Sequence, residues 1–567
     1  MRHAWRLELT ATLAIGLLAA QPAVPGHVTD AVDVKVTLDN PGLSDPAPDP
    51  LPEPTPGFDA QNQSQQNPSL AISPVNPAIL AVVANDARMF VPPPLALWMG
   101  LYVSIDGGAT WFNTFIPGFR TDTSTAGLES PLRGFASSTE AAVRFDAEGH
   151  LYVAGIAANF PGFPVDDGAR PDNVAYVTRY EYTPGTPGGL STPTSAGNPP
   201  HFIYAFTTIV DKGSARVHPP QGAPHPPNES ISVGNFVDKA WLWVDTHPAS
   251  PCRGTLYHVI TRKTGFDDEP GASIIVFSRS TDGGRTFSQP RPLSQKGHDG
   301  FSQGANIGTG PDGRVYVSWR SNLTPLGSEV RQIRVARSDD CGQRFGKPVT
   351  AALFNRMRNG NETTGLVAQT PTLSWIAVDD GDADIVYVAY QGLAGPLGFP
   401  SGPHDADVFV ARSVDGGQTW EVPVRMNDDA TGRHQFFPTV AVSGGILHVA
   451  WYDLRQSLGN SVADARADVF YASSIPGASP LRFSHNVRVT DQSFPPNCSI
   501  VPGFVYIGVY IELAARVEGA SHVVHVAWAD NRDMSPCLLP GDSVPDPLPP
   551  QIFNQNVYTD RLEVVLP

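Results

Sequence analysis

Apolar residues along this chain fall into short runs set apart by Gly, Pro and Asp, and one order of runs keeps returning. Each unit opens on a short apolar run: SLAISP from Ser69, AAVRFD from Ala141, AWLWVD from Ala240, ANIGTG from Ala305, LSWIAVD from Leu373, PTVAVS from Pro438 and YIGVYI from Tyr506. A tight turn follows, such as Asp312-Gly313 or Gly444-Gly445, and then a second run, for example HLYVAGIA, TLYHVITR, RVYVSWR, ILHVAWYD and VVHVAWAD. A third run appears as DVFVARS from Asp407 and DVFYASS from Asp468. Runs of this length, rich in β-branched and aromatic residues and bounded by turn signals, predict strands. No stretch keeps a 3.6-residue apolar period with caps, so long helices are not expected.

The seven starts lie 72, 99, 65, 68, 65 and 68 residues apart, and the long interval holds a Pro-rich insertion. A nearly fixed long period of four antiparallel strands predicts an all-β fold, a β-propeller of seven blades, with six as the alternative count. A lone blade cannot bury both faces, so the ring must close. The seventh unit supplies only three strands, ending in NVYTDRLEVV, while VDVKVTLD at residues 32–39 is a stray strand. The expectation is that this N-terminal strand completes the last blade as its outer edge and removes an open sheet edge. A Pro-rich linker occupies residues 41–57, and residues 58–567 form the propeller.

Composition changes the picture in two ways. The net charge of −17 argues against nucleic acid as a partner, since a phosphate backbone selects a basic surface. At the start, Arg2, His3 and Arg6 precede an apolar run of 12 at residues 9–20, too short to span a bilayer. With the small residues that follow, residues 1–23 read as a signal peptide cut near positions 20–23, so the protein is expected to be secreted, extracellular or periplasmic, without a membrane span. Four cysteines in an exported chain favour disulfides; a zinc site is the alternative, although no Cys-x-x-Cys spacing occurs.

One eight-residue turn is spelled four times: SIDGGATW (Ser104, Asp106, Gly108, Thr110, Trp111), STDGGRTF (Ser280, Asp282, Gly284, Thr286, Phe287), SVDGGQTW (Ser413, Asp415, Gly417, Thr419, Trp420) and a worn SDDCGQRF (Ser338, Asp340, Gly342, Phe345). Asp accepts backbone N–H groups inside the turn, Gly-Gly supplies positive φ, and the aromatic residue plugs the blade, so the turn reads as structural. This word resembles the Asp-box, the bacterial neuraminidase repeat of the sialidase superfamily. The resemblance implies that these turns lie on the face opposite the active site. It also implies the pairs Cys252–Cys341 and Cys498–Cys537, since each pair then falls in loops on one face.

On the other face, the loops leaving the second strands repeat Asp-x-Arg: Asp86 with Arg88, Asp453 with Arg455, and Asp530 with Arg532, while Arg262 and Arg320 stand near the same level. Planar guanidinium forks suit a carboxylate ligand, and a repeated salt bridge that locks the blades is the even alternative. The superfamily holds its sugar carboxylate with three arginines and attacks with a tyrosine assisted by a glutamate, beside an aspartate acid/base; its Arg-Ile-Pro motif is absent from this sequence. By that resemblance Tyr510, Tyr506 or Tyr452 stands for the tyrosine, Glu512, Glu129 or Glu140 for the glutamate, Asp86 or Asp453 for the aspartate, and Arg88, Arg320, Arg455 and Arg532 with Asp530 for the substrate clamp. Glu512, two residues beyond Tyr510, is read as a strand neighbour turned to solvent. Residues 379–384 (DDGDAD) have the carboxylate density of a calcium loop, with an acidic hairpin turn as the favoured reading and no cofactor required. The function implied is a secreted sialidase-like, exo-acting glycoside hydrolase on sialic-acid-type glycans or glycoproteins. A non-catalytic glycan- or protein-binding propeller and a polysaccharide lyase are the alternatives.

Overall fold

The computed structural model describes residues 27–37, 64–87, 97–159, 173–191, 194–213, 236–263, 273–294, 301–322, 330–357, 365–393, 395, 397–398, 406–501, 504–543 and 553–566. The signal-peptide and linker assignments, and Arg88, lie outside them. The described residues are all-β apart from a short helix α1 (Thr125–Glu129) and a 3₁₀ turn (Val462–Asp464).

In chain order the strands are β1 (His27–Asp30), β2 (Val34–Lys35), β3 (Gln65–Ile72), β4 (Leu80–Asp86), β5 (Trp98–Ser104), β6 (Phe112–Phe115), β7 (Ser137–Phe145), β8 (Leu151–Ala158), β9 (Asn173–Tyr182), β10 (Phe202–Gly213), β11 (Phe236–Val244), β12 (Leu256–Lys263), β13 (Ser273–Ser280), β14 (Arg291–Pro292), β15 (Ser302–Thr309) and β16 (Val315–Asn322). They continue as β17 (Val330–Ser338), β18 (Val349–Asn355), β19 (Trp375–Val378), β20 (Val386–Leu393), β21 (Ala406–Ser413), β22 (Val424–Arg425), β23 (Gln435–Ser443), β24 (Ile446–Asp453), β25 (Asp468–Ser473), β26 (Val487–Arg488), β27 (Ser499–Val501), β28 (Phe504–Val505), β29 (Glu512–Glu518), β30 (Ser521–Asp530) and β31 (Asn556–Val565).

Four consecutive strands make each antiparallel sheet: β3–β6, β7–β10, β11–β14 and β23–β26; β15–β18 and β19–β22 are joined only through Asn355 and Leu393. Second strands such as β4, β8, β20, β24 and β30 are buried at every position, which explains their near-continuous apolar runs. The first strands pack in succession: β3 meets β7, then β11, β15, β19, β23 and β29, and β29 returns to β3. In the last sheet β29, β30 and β31 are followed outward by the N-terminal segment. It pairs with β31 as two pieces, His27 opposite Val565 and Val34 opposite Thr559, interrupted at residues 31–33. The first strand of that sheet begins at Glu512 and not at Tyr506, because Phe504 and Val505 pair with the preceding segment instead.

Each repeated turn joins a third strand to the segment after it and is built from its own residues. In the first, Ser104 Oγ donates to Asp106 Oδ1 (2.8 Å) and accepts from Gly108 N (2.9 Å), and Asp106 accepts from Thr110 N (2.9 Å) and Thr110 Oγ1 (2.6 Å). Asp282 and Asp415 repeat this set. In the worn copy Arg344 Nε replaces the threonine hydroxyl on Asp340 (3.0 Å), and Cys341 holds the left-handed position (φ 56°) that glycine takes in the other copies. Cys341 is bonded to Cys252 of the neighbouring sheet, and Cys498 to Cys537.

Candidate functional site

The first strands share one local device at the end where the chain enters them. A residue in the left-handed region stands there in six of the seven units: Asn67 (φ 56°), Glu140 (63°), Lys239 (50°), Gly304 (66°), Phe437 (51°) and Gly508 (81°). In five of these the ladder slips by one residue at the same place, as between Thr139 and Ala142 or between Asp238 and Trp241. A bulge of this kind re-aims a side chain, and a non-glycine residue held there costs about 1–3 kcal/mol, a strain that clusters at functional sites. At Gly304 a Cβ would lie 2.3 Å from Leu373 Cδ2, so a larger residue there needs the Leu373 side chain to move.

Two of the bulge residues are charged and meet. Lys239 Nζ donates to Glu140 Oε1 (2.8 Å), and each side chain is 12% exposed. The adjacent Asp238 pairs with Lys263 Nζ (3.1 Å). Burial pushes the Glu140 carboxyl up, and Lys239 opposes it. Burial would push the ammonium down, but Glu140 and Asp238 outweigh it, so Lys239 stays charged and rises above its ordinary value. On Asp238 burial is outweighed by Lys263 and Lys239, which hold the carboxyl down. Two carboxyls in one cluster are thereby pushed in opposite directions, an arrangement that separates proton donors from acceptors. Glu140 Oε2 is buried with no hydrogen-bond partner.

Tyrosines stand beside this cluster. Tyr506 OH accepts from Asn67 Nδ2 (3.2 Å), and burial pushes Tyr506 up to about 12. Tyr510 OH donates to Ala141 O (2.9 Å), and burial pushes it well above the usual phenol range. The Tyr510 ring meets Trp241 (5.8 Å) and Trp375 (6.3 Å) edge to face, and Trp241 meets Trp375 at 4.9 Å. This trio underlies the cluster. Beyond it, Arg144 Nη2 donates to Glu512 Oε1 (2.7 Å), with the guanidinium 5.1 Å from the Trp241 ring and 4.9 Å from the Trp243 ring.

The other expected site residues are placed as follows. Glu512 is buried, not turned to solvent: besides Arg144 it accepts from Ser69 Oγ and from Leu70 N (3.0 Å). Asp86 is buried and accepts from Tyr102 OH. Asp453 accepts from Trp451 Nε1 (3.0 Å) and Arg455 Nη2 (2.8 Å); Asp530 accepts from Trp528 Nε1 (2.9 Å) and Arg532 Nη2 (2.7 Å). Arg455 goes on to Asp428 (2.8 Å) and covers Phe470, and Arg532 goes on to Asp33 (2.7 Å) and covers Tyr558. Arg320 donates to Gln303 (2.7 Å) and Arg262 to Asp211. These arginines are engaged in separate pairs, each with its own partners. Glu129 is exposed at the end of α1, and Tyr452 OH bonds the backbone of Ala529.

Glu140, Tyr506 and Tyr510 are the expected residues that come together. Asp238, Lys239, Lys263 and Trp241 were not singled out from the sequence. The signal was one column of the repeat, where Asn67, Gly304, Phe437 and Gly508 are uncharged and Glu140 and Lys239 are not. At residues 379–384 the carboxylates serve a hairpin turn: Asp379 accepts from Gly381 N (2.9 Å), and Asp384 pairs with Arg314. Among the described residues no group of three or more His, Cys, Asp or Glu is placed to hold a metal ion.

A scan of protein-family models and a search of curated proteins each find no match. Among solved structures, a protein of unknown function from Dyadobacter fermentans aligns at TM-score 0.40 and 11% identity, over 95% of this chain and 100% of that one. A Trypanosoma rangeli sialidase aligns at TM-score 0.38 and 11% identity, over 76% of this chain and 57% of that one. An alpha-L-arabinofuranosidase from Fusarium graminearum aligns at 0.39 and 10%, over 94% and 97%. At such scores the reading of the site rests on its own geometry.

Proposed function

We propose that this chain is an exported β-propeller of seven blades that acts on extracellular glycans as a glycoside hydrolase. Its reaction centre is the mouth where the chain enters the first strands, with Glu140 as the acid–base carboxyl. The succession of first strands from β3 round to β29 and back supports the ring, and β1 and β2 on β31 support its closure. Two disulfides suit an oxidising compartment, as does the leader-like start of the chain. The four Asp-box-like turns support a sialidase-like ancestry.

One observation carries the reading: Glu140 and Lys239, both on left-handed backbone, bury an ion pair at this mouth with one carboxylate oxygen unpartnered. A general acid–base carboxyl works best when its environment moves it towards the working pH, and burial moves Glu140 that way. A sialic-acid-type substrate, which the Asp-box resemblance implies, calls for converging cations. Arg455 and Arg532 are spent on Asp453, Asp428, Asp530 and Asp33, which leaves the lysines of the cluster as the cations nearest Glu140. The charge of the sugar is therefore decided by assay.

Purified protein is offered a panel of aryl glycosides, sialosides and other acidic sugars beside neutral ones. Release from at least one is expected, with Glu140→Gln reducing it about 1,000-fold. The second reading, binding without turnover, draws on the neutralisation of each mouth charge by a partner. Saturable binding of a glycan array with no release from any glycoside decides for it.

A further inference from the structure

Two buried polar atoms at this mouth lack hydrogen-bond partners, and they are complementary. Glu140 Oε2 accepts, and Trp241 Nε1 donates. Both residues line one space, together with Asn306, Ser374 and Tyr510. Trp241 is 5% exposed, and its ring is fixed edge to face against Trp375 and Tyr510. Leaving such a pair unmade costs about 1–3 kcal/mol for each atom, so the site is built for something that both accepts and donates. Size selects the occupant. The space is about 20 Å³, room for one water and too little for a sugar ring.

We infer that a water molecule is held between Trp241 Nε1 and Glu140 Oε2, and that it is the nucleophile of the hydrolysis proposed above, so that the reaction proceeds with inversion. This rests on the proposed function. The alternative nucleophile is a tyrosine, and both candidates are poorly suited: Tyr510 already gives its proton to Ala141 O, and Tyr506 accepts from Asn67 with no base hydrogen-bonded to its hydroxyl in the contacts described. A water in this space instead lies against Glu140 Oε2, the carboxylate oxygen that Lys239 leaves unpaired. In the step, the water oxygen bonds to the anomeric carbon while its proton passes to Glu140 Oε2. The glycosidic carbon–oxygen bond breaks with its electron pair on the departing oxygen, which takes a proton from solvent. Glu140 then returns its proton to solvent. Attack by this water on the face opposite the leaving group inverts the anomeric centre.

The test follows the anomer first released from the best aryl glycoside by proton NMR. Inversion supports the inference. Retention overturns it and leaves the hydrolase reading standing; no release from any glycoside overturns both. Trp241→Phe keeps the ring and removes the N–H, and should lower kcat about 100-fold with little change in KM. An unchanged kcat overturns the role of the water. If Glu140→Gln folds poorly, a crystal structure of the unsubstituted protein gives a readout independent of that variant. Density for water bridging Glu140 and Trp241 supports the inference, and a protein group in that place overturns it.

Discussion

His258, in β12, is 1% exposed, its Nε2 has no hydrogen-bond partner, and its ring lies 6.2 Å from Phe287 of a repeated turn. Burial holds it down to about 3 from an ordinary value of 6.5. A group depressed in this way is neutral in the folded chain and takes up a proton on unfolding. Its contribution is complete above pH 6.5 and is lost as pH falls towards 3. At 1.36 kcal/mol per unit, about 2 kcal/mol is gone by pH 5. His448 and His525 are held down to about 3 by the same cause. Burial also raises the Asp530 and Asp560 carboxyls, which pull the other way, so the total slope is not the histidine sum. A difference isolates one residue. His258→Leu and the unsubstituted protein are unfolded in denaturant at pH 8 and at pH 5, with disulfides intact. The variant should lose about 2 kcal/mol less between the two pH values. Equal losses would refute the claim that the fold keeps His258 neutral.

Three further outcomes are expected. Replacing Cys252 and Cys341 together by Ser opens a loop of 89 residues and should cost about 4–5 kcal/mol in the chain-entropy account, read from unfolding under non-reducing conditions. Asp282→Ala removes the acceptor of Thr286 and Ser280 in an exposed turn, so stability should fall by only about 1 kcal/mol and glycoside release should not change. Arg532→Met strands the buried carboxylates Asp530 and Asp33 and should cost about 3–5 kcal/mol, with faster hydrogen exchange in β1 and β2. A loss of activity with no loss of stability in this last variant would restore Arg532 to the substrate clamp.

What could be read from the sequence was what is local. The repeated turn closes its hydrogen bonds within eight residues, so SIDGGATW and its copies announce their own geometry. Within most sheets strand order followed from the runs, since neighbouring strands there are consecutive in the chain. The mouth and the ion pair beyond it were hidden because they are assembled across sheets: Glu140 and Lys239 are 99 residues apart, and Glu512 and Arg144 are 368 apart. Alternation alone turned Glu512 outward, and the arrival of Arg144 turns it in. Asp-x-Arg read evenly as ligand arms or locks, because nothing local says that Asp428 and Asp33 arrive to occupy the free ends of Arg455 and Arg532.

The left-handed bulge at the head of the first strands has an evolutionary consequence. The same kink accepts asparagine, glutamate, lysine, glycine and phenylalanine without altering the ladder beyond it. Six of the seven units thus present the same socket. Selection could exchange the residue in one socket, and with it the chemistry presented there, while the scaffold pays nothing in topology.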